Sequence, residues 1–287
     1  MRGRIAAVSI AAATMGWLVA CGGTSETDPS PDAGLPGEEA GTEDSGPDVV
    51  DTDAGTDGAS DAKPDRANDA SAGYCATLSP KPKFCDDFDD GDVANDWLFK
   101  NVLGGSVLDL DVSSATSAPY SMGIVTPPLT NMQQGPAHLR QTLFGNAKHQ
   151  KLSFSTYFVT SPTITKGTLA IATLDVSTDH FFTLYLRDSP TDGVSTPAAV
   201  LEEIQGATTN RFPLASLPPM GAWARITLDV DLVAGKASVL IGSTKAVDDV
   251  TIGTTGGTEA TFRLGAVYLF GPADPVEARF DDVVVDY

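Results

Sequence analysis

Three sets of residues in this chain carry chemistry that folding alone does not require. The first is a set of thiols, Cys21, Cys75 and Cys85, the only 3 cysteines among 287 residues. The second is two carboxylate clusters, Asp86, Asp87 and Asp89 in one segment and Asp281 and Asp282 near the other end. Carboxylate oxygens are hard ligands of the kind calcium takes, and carboxylates brought together repel unless a cation sits among them. The third is a set of polar side chains interleaved with apolar ones: His138, Arg140 and Thr142, then Ser155 and Tyr157, then Thr183, Tyr185 and Arg187. Alternate residues of a strand face opposite ways. With Leu139, Leu143, Phe154, Phe158, Phe182 and Leu184 turned inward, these polar groups face outward together. Arg140, Tyr157, Tyr185 and Arg187 are therefore the expected ligand-binding residues, because tyrosine rings stack on sugar faces and guanidinium groups donate to hydroxyls or carboxylates.

The strands that position these groups fall within residues 74–287. Period-two alternation recurs there at Leu139, Gln141 and Leu143, at Leu152, Phe154, Thr156 and Phe158, and at Leu169, Ile171 and Thr173. It returns at Phe182, Leu184 and Leu186, at Ile226, Leu228 and Val230, and at Val239 and Ile241. Gly, Pro, Asn, Asp and Ser clusters separate the runs, which reads as a single all-β sandwich domain. The best helical candidate is the short segment Pro197 to Gln205. From Gly22 to Gly73 the chain has 14 Asp or Glu, two bases (Lys63 and Arg66), no aromatic residue and three large aliphatics, so it cannot bury a core. As a flexible spacer it spans about 40 Å, and more with charge repulsion. The formal net charge of −20 argues against nucleic-acid partners, which need clustered Lys and Arg.

The first twenty residues combine a basic start (Arg2, Arg4), an apolar run from Ile5 to Val19 and a small residue before a thiol. That is an export signal, too short to span a membrane. Leu18-Val19-Ala20-Cys21 resembles the lipobox of bacterial lipoproteins. The resemblance implies a diacylglycerol on the Cys21 sulfur, cleavage after Ala20, and a membrane partner reached through the lipid. Gly22 brings no negative charge to favour inner-membrane retention, so the expected location is the outer membrane, on its periplasmic face or at the cell surface. The expected organisation is a signal peptide at 1–20, the lipidated cysteine and acidic linker at 21–73, and the sandwich at 74–287. An oxidising compartment favours a disulfide between Cys75 and Cys85. A metal pair is the rival reading, although the spacing is not CxxC and no second cluster completes four ligands.

Trp223 to Asp231, followed by Gly235 to Gly242, reads as strand, turn and strand. With Phe84-Cys85-Asp86-Asp87-Phe88-Asp89-Asp90-Gly91 and Trp97 near the start, and Ala278 to Asp286 at the end, it resembles the concanavalin A-like and laminin G-like jelly rolls. An immunoglobulin-like sandwich is the alternative. The resemblance implies that the first and last strands lie side by side. Asp86, Asp87, Asp89, Asp281 and Asp282 would then meet, and a structural calcium is expected among them. In the alternative, these aspartates point into water or cap turns.

Retaining glycosidases of that fold place two Glu on one strand with an Asp between them. Here Glu202 and Glu203 are adjacent and would face opposite ways. Gly104-Gly105-Ser106 is not a GxSxG elbow, and no thiol is free to be a nucleophile. The expectation is a lipid-anchored module without catalysis that binds carbohydrate. Protein–protein adhesion or a structural envelope role is the first alternative, and a polysaccharide lyase, whose jelly-roll examples use Arg, Gln, His and Tyr on a concave sheet, is the second.

Overall fold

The computed structural model describes residues 73–130, 133–145, 148–160, 167–188 and 198–287. The export signal, Cys21 and the linker through residue 72 lie outside the described residues. One short helix, α1 (Tyr74–Thr77), precedes the strands β1 (Phe84–Asp86), β2 (Phe99–Val102), β3 (Val107–Asp111), β4 (Ser121–Thr126), β5 (Ala137–Phe144), β6 (His149–Phe158), β7 (Thr168–Ser177) and β8 (His180–Asp188). There follow β9 (Ala198–Gln205), β10 (Thr208–Pro213), β11 (Trp223–Asp231), β12 (Lys236–Ile241), β13 (Thr244–Thr251), β14 (Glu259–Phe270) and β15 (Val276–Asp286).

Two antiparallel sheets form the jelly-roll sandwich. Sheet A runs β13-β12-β11-β6-β15-β4-β3, with β1 also paired to β15, and sheet B runs β10-β9-β8-β7-β14-β5-β2. The first and last strands do lie side by side, with Phe84 opposite Val285 and Asp86 opposite Val283. Alternation explains what is buried. Leu152, Phe154, Phe158 and Phe280 of sheet A and Phe182, Leu184, Phe262 and Leu264 of sheet B are fully buried. Each such side chain contributes about 1.5–3 kcal/mol by leaving water. Trp97 is core, as an edge-to-face cluster with Phe84 and Phe262 fills one end of the sandwich. Cys75 and Cys85 form a disulfide, which ties α1 to β1.

Two local expectations are corrected. The segment proposed as helical is strand β9, paired with β8 on one side and β10 on the other. Its alternation decides this: Leu201 and Glu203 face in, while Glu202 faces out opposite Arg211. The run Leu169, Ile171, Thr173 does not keep one face, because register shifts in β7 around Ala170 change its phase. Ala172 and Leu174 turn inward and Thr173 turns outward.

Glu203 enters the core with polar partners around it. His180 and Glu203 are both fully buried and meet at 2.9 Å through Nε2. The other ring nitrogen faces the Thr255 carbonyl at 2.6 Å. Asn210 and the Gly253 amide also donate to Glu203, which satisfies the carboxylate.

Candidate functional site

The strand registers align one row across the outer face of sheet B. Phe99 stands opposite Arg140, Arg140 opposite Arg263, Arg263 opposite Thr173, Thr173 opposite Thr183, Thr183 opposite Glu202, and Glu202 opposite Arg211. A second row brings Thr142, Thr261, Asp175 and Phe181 together, and His138 faces Gly265 on the far side of Arg140. Gly265 is required there. It adopts φ +121°, and a Cβ on it would stand 2.4 Å from the Ala137 carbonyl. Tyr268 and Tyr185 both pair with Ala170, from opposite sides.

The charges in these rows are unequally matched. Arg263 donates to Asp175 at 2.8 Å and to Thr173 at 3.0 Å. Arg211 lies 3.6 Å from Glu202. Both carboxylates are thus engaged. Arg140 instead lies over the Phe99 ring, 4.9 Å from its centroid. Among the described residues, three buried polar atoms of this face have no hydrogen-bond partner: His138 Nδ1, Arg140 Nε and Thr183 Oγ1. His138 is 7% and Thr183 1% exposed. Leaving such an atom unpaired costs about 1–3 kcal/mol, so these three hold hydrogen-bonding capacity that a bound molecule could use. Burial pushes the His138 ring down to about 4, helped by the Arg263 and Arg140 charges. At neutral pH it is an uncharged imidazole with a free lone pair.

Of the four expected ligand-binding residues, Arg140 and Tyr185 share this face. The Arg187 backbone continues β8, while its side chain is outside what is described. Tyr157 is on the opposite sheet, because β6 pairs with β11 and β15. There it packs on Trp223 at 5.6 Å and under the Arg279 guanidinium at 5.5 Å. Ser155 goes with it. Arg263, Asp175 and Tyr268 were not anticipated, although Thr261 and Arg263 alternate with the apolar Phe262 and Leu264 in the pattern used elsewhere.

The aspartates gather on the outer face of sheet A. A bulge in β15 and φ +51° at Asp282 aim Asp281 and Asp282 toward the segment before β4. Asp281 accepts from the Thr116 and Ser117 amides at 2.6 and 3.0 Å, and Asp282 accepts from the Ser117 hydroxyl at 2.7 Å. Asp87 accepts from the Cys75 amide and Asp89 from the Tyr120 amide. A Cβ on Gly73 would stand 2.6 Å from an Asp87 oxygen and 3.2 Å from an Asp89 oxygen, so both carboxylates border one small cradle. Asp86 stands apart, accepting from the Trp97 ring nitrogen and the Phe88 amide. Among the described residues, no three His, Cys, Asp or Glu side chains form a preformed metal cage.

Like charge is evident here. Burial, with Asp282 adding to it, pushes Asp281 up to about 7. Burial, with Asp87 and Asp282 adding to it, pushes Asp89 up to about 6. Burial also pushes Asp86 up to about 7 and raises Asp282. Arg225, whose guanidinium donates to the Asp282 carbonyl and lies over the Tyr74 ring, is the nearby cation.

No protein-family model matches the chain, and no curated protein matches it. Solved structures do. An endo-β-1,4-glucuronan lyase from the fungus Trichoderma reesei superposes with a TM-score of 0.52 at 11% identity, covering 71% of this chain and 95% of that one. A cellulose induced protein, Cip1, superposes at 0.51 with 14% identity, covering 70% of this chain and 96% of that one. These likenesses establish the fold. They also correct the expectation of a module without catalysis. A lyase is built on this fold, so the absence of a paired-Glu strand or a nucleophile elbow does not exclude an enzyme.

The raised carboxyls carry a stability consequence with a definite sign. A folded-state pKa above the ordinary carboxylate range means stability fully present below that range and lost as pH rises through the raised value. Asp89, Asp86 and Asp281 act this way between about 4 and about 7. His138, pushed down to about 4, acts oppositely but alone. In chelator, the melting midpoint of the protein is expected to fall as pH rises across this window; a rising midpoint counts against the cluster.

Proposed function

We propose that this chain is a lipid-anchored envelope protein whose jelly-roll domain acts on an acidic polysaccharide by β-elimination on the outer face of sheet B. The observation that carries the reading is the coincidence of His138 Nδ1, Arg140 Nε and Thr183 Oγ1, buried and unpartnered, on one face. The shared fold with a glucuronan lyase supports it. In this mechanism, a uronate carboxylate is received by the Arg140 guanidinium, which forms no ion pair among the described residues. Withdrawing charge from the carboxylate makes the neighbouring C5 proton more acidic. The neutral His138 ring takes that proton, the C4–oxygen bond breaks, and a C4=C5 double bond forms. The leaving oxygen takes a proton from a tyrosine hydroxyl, Tyr268 or Tyr185, at the edge of the row. Asp175 holds Arg263 in place as the second cation.

Elimination is tested by incubating the full chain with glucuronan or alginate and following the ultraviolet absorbance of the unsaturated ends. Absorbance should grow, and His138→Gln should lower the rate by about 10²–10⁴ without changing the melting midpoint. Flat absorbance with every polyuronate overturns the reading.

For the aspartates the proposal is a structural calcium held by Asp87, Asp89 and Asp282 with the Ser117 hydroxyl. These are hard oxygen donors, two of them bordering the cradle at Gly73. Calcium would supply the positive charge that these groups lack. Added at neutral pH after chelation, it should raise the melting midpoint, more in the wild type than in Asp282→Asn; equal midpoints with and without calcium remove the ion.

The anchor is proposed on Cys21, with the acidic spacer holding the domain off an outer membrane. Two or three acyl chains give a lasting attachment where one does not. Cys21→Ser should release the protein from sedimented envelopes, whereas an unchanged pellet fraction argues against the lipid.

A further inference from the structure

The outer face of sheet B does not end at the charged row. Along β5, alternation continues from His138, Arg140 and Thr142 to Phe144, which is 77% exposed. A phenylalanine so exposed at the end of a strand gains nothing from folding. Its backbone is nonetheless firmly held: the Tyr287 hydroxyl donates to the Phe144 carbonyl at 2.8 Å, and the Gly145 amide donates to the Thr258 carbonyl at 2.9 Å. Phe144 stands opposite Glu259 in the β14 register. Beside them opens a depression of about 370 Å³, lined among others by Asp175, Ser177, Thr258, Glu259 and Thr261. Thr261 and Thr142 share a hydrogen bond of 2.8 Å at its edge toward the row.

We infer that Phe144 and this depression form a second sugar subsite, one that takes a neutral, hydroxyl-rich unit of the same polysaccharide chain. The inference rests on the carbohydrate reading of the face. An exposed ring offers an apolar platform for the CH face of a sugar, and the carboxylate and hydroxyls accept from its hydroxyl groups. The lining contains two carboxylates and no cation, and Asp175 is already engaged by Arg263. A second uronate placed here would face Glu259 without compensation, so the unit at Phe144 carries no carboxylate. Phe144 lies four residues beyond Arg140, about 13 Å along an extended strand. That separation requires an oligosaccharide rather than a single sugar. The substrate class is thus a polysaccharide in which uronate and neutral units both occur.

The test is a binding series on the full chain, with β-1,4-linked glucuronate oligomers of two to about eight units and matching oligomers in which glucose replaces all but one glucuronate. Affinity for the mixed oligomers should climb with length until both subsites are spanned. Phe144→Ala should remove the gain from length, about fivefold to tenfold, while leaving the shortest oligomers and the melting midpoint unchanged. Glu259→Gln should narrow the preference for mixed over uniform oligomers. If short acidic oligomers bind but length adds nothing, or Phe144→Ala is silent, the second subsite is overturned and the proposed function stands. Uniform glucuronate gaining as much from length as the mixed series overturns the neutral assignment. If no oligomer of either kind binds, the carbohydrate reading falls, and this inference with it.

Discussion

One strand determines what the outer face of sheet B can do. β14 is hydrogen-bonded to β5 on one side and β7 on the other, and its register alone puts Arg263 between Arg140 and Thr173. Because side chains alternate, sliding β14 by one residue would send Arg263 into the core and bring Phe262 to the surface. The burial of Phe262 and Leu264 therefore locks the register that assembles the row. Gly265 and the register shift that follows it let the same strand change phase before Tyr268.

Much of the fold was legible because burial and alternation are the same fact read twice. Leu152, Phe154 and Phe158, or Ile226, Leu228 and Val230, are apolar at every second position because every second position faces the other sheet. The pairing of the first and last strands followed from the resemblance and not from periodicity. Alternation could not say which sheet a strand joins. Tyr157 and Arg140 look equivalent along the sequence, yet they lie on opposite faces of the sandwich, since β6 and β5 belong to different sheets. Nor could it anticipate the register shifts of β7, which give Thr173 to the outer face, or the strand character of Ala198–Gln205, where Glu203 is accepted in the core because His180, Asn210 and the Gly253 amide meet it. Arg263 was legible but overlooked. The partnerless atoms of His138, Arg140 and Thr183 have no sequence signature at all, because they are defined by what surrounds them in space.

The two outer faces handle charge in contrasting ways. On sheet A, Asp281 and Asp282 meet at Ser117 and Asp87 and Asp89 border Gly73, with Arg225 as the nearby cation, and burial raises three of the four. On sheet B, Asp175 and Glu202 are matched by Arg263 and Arg211, and among the described residues Arg140 has no ion pair. An acidic chain thus presents a locally cationic row, and the histidine beside it is kept uncharged by its burial, helped by the same guanidinium groups that would attract an anion.

The Cys75–Cys85 bridge has a mechanical meaning. Tension applied to the chain before Gly73 reaches Cys75 and crosses the two sulfurs directly to Cys85 in β1, so residues 76–84 are shunted out of the load path. The force then arrives at the contact between β1 and β15, where Cys85 faces Val284. A domain pulled by its leading end would thereby be gripped at its closing strand, with the Phe84 ring passing the load on to Phe262 in β14.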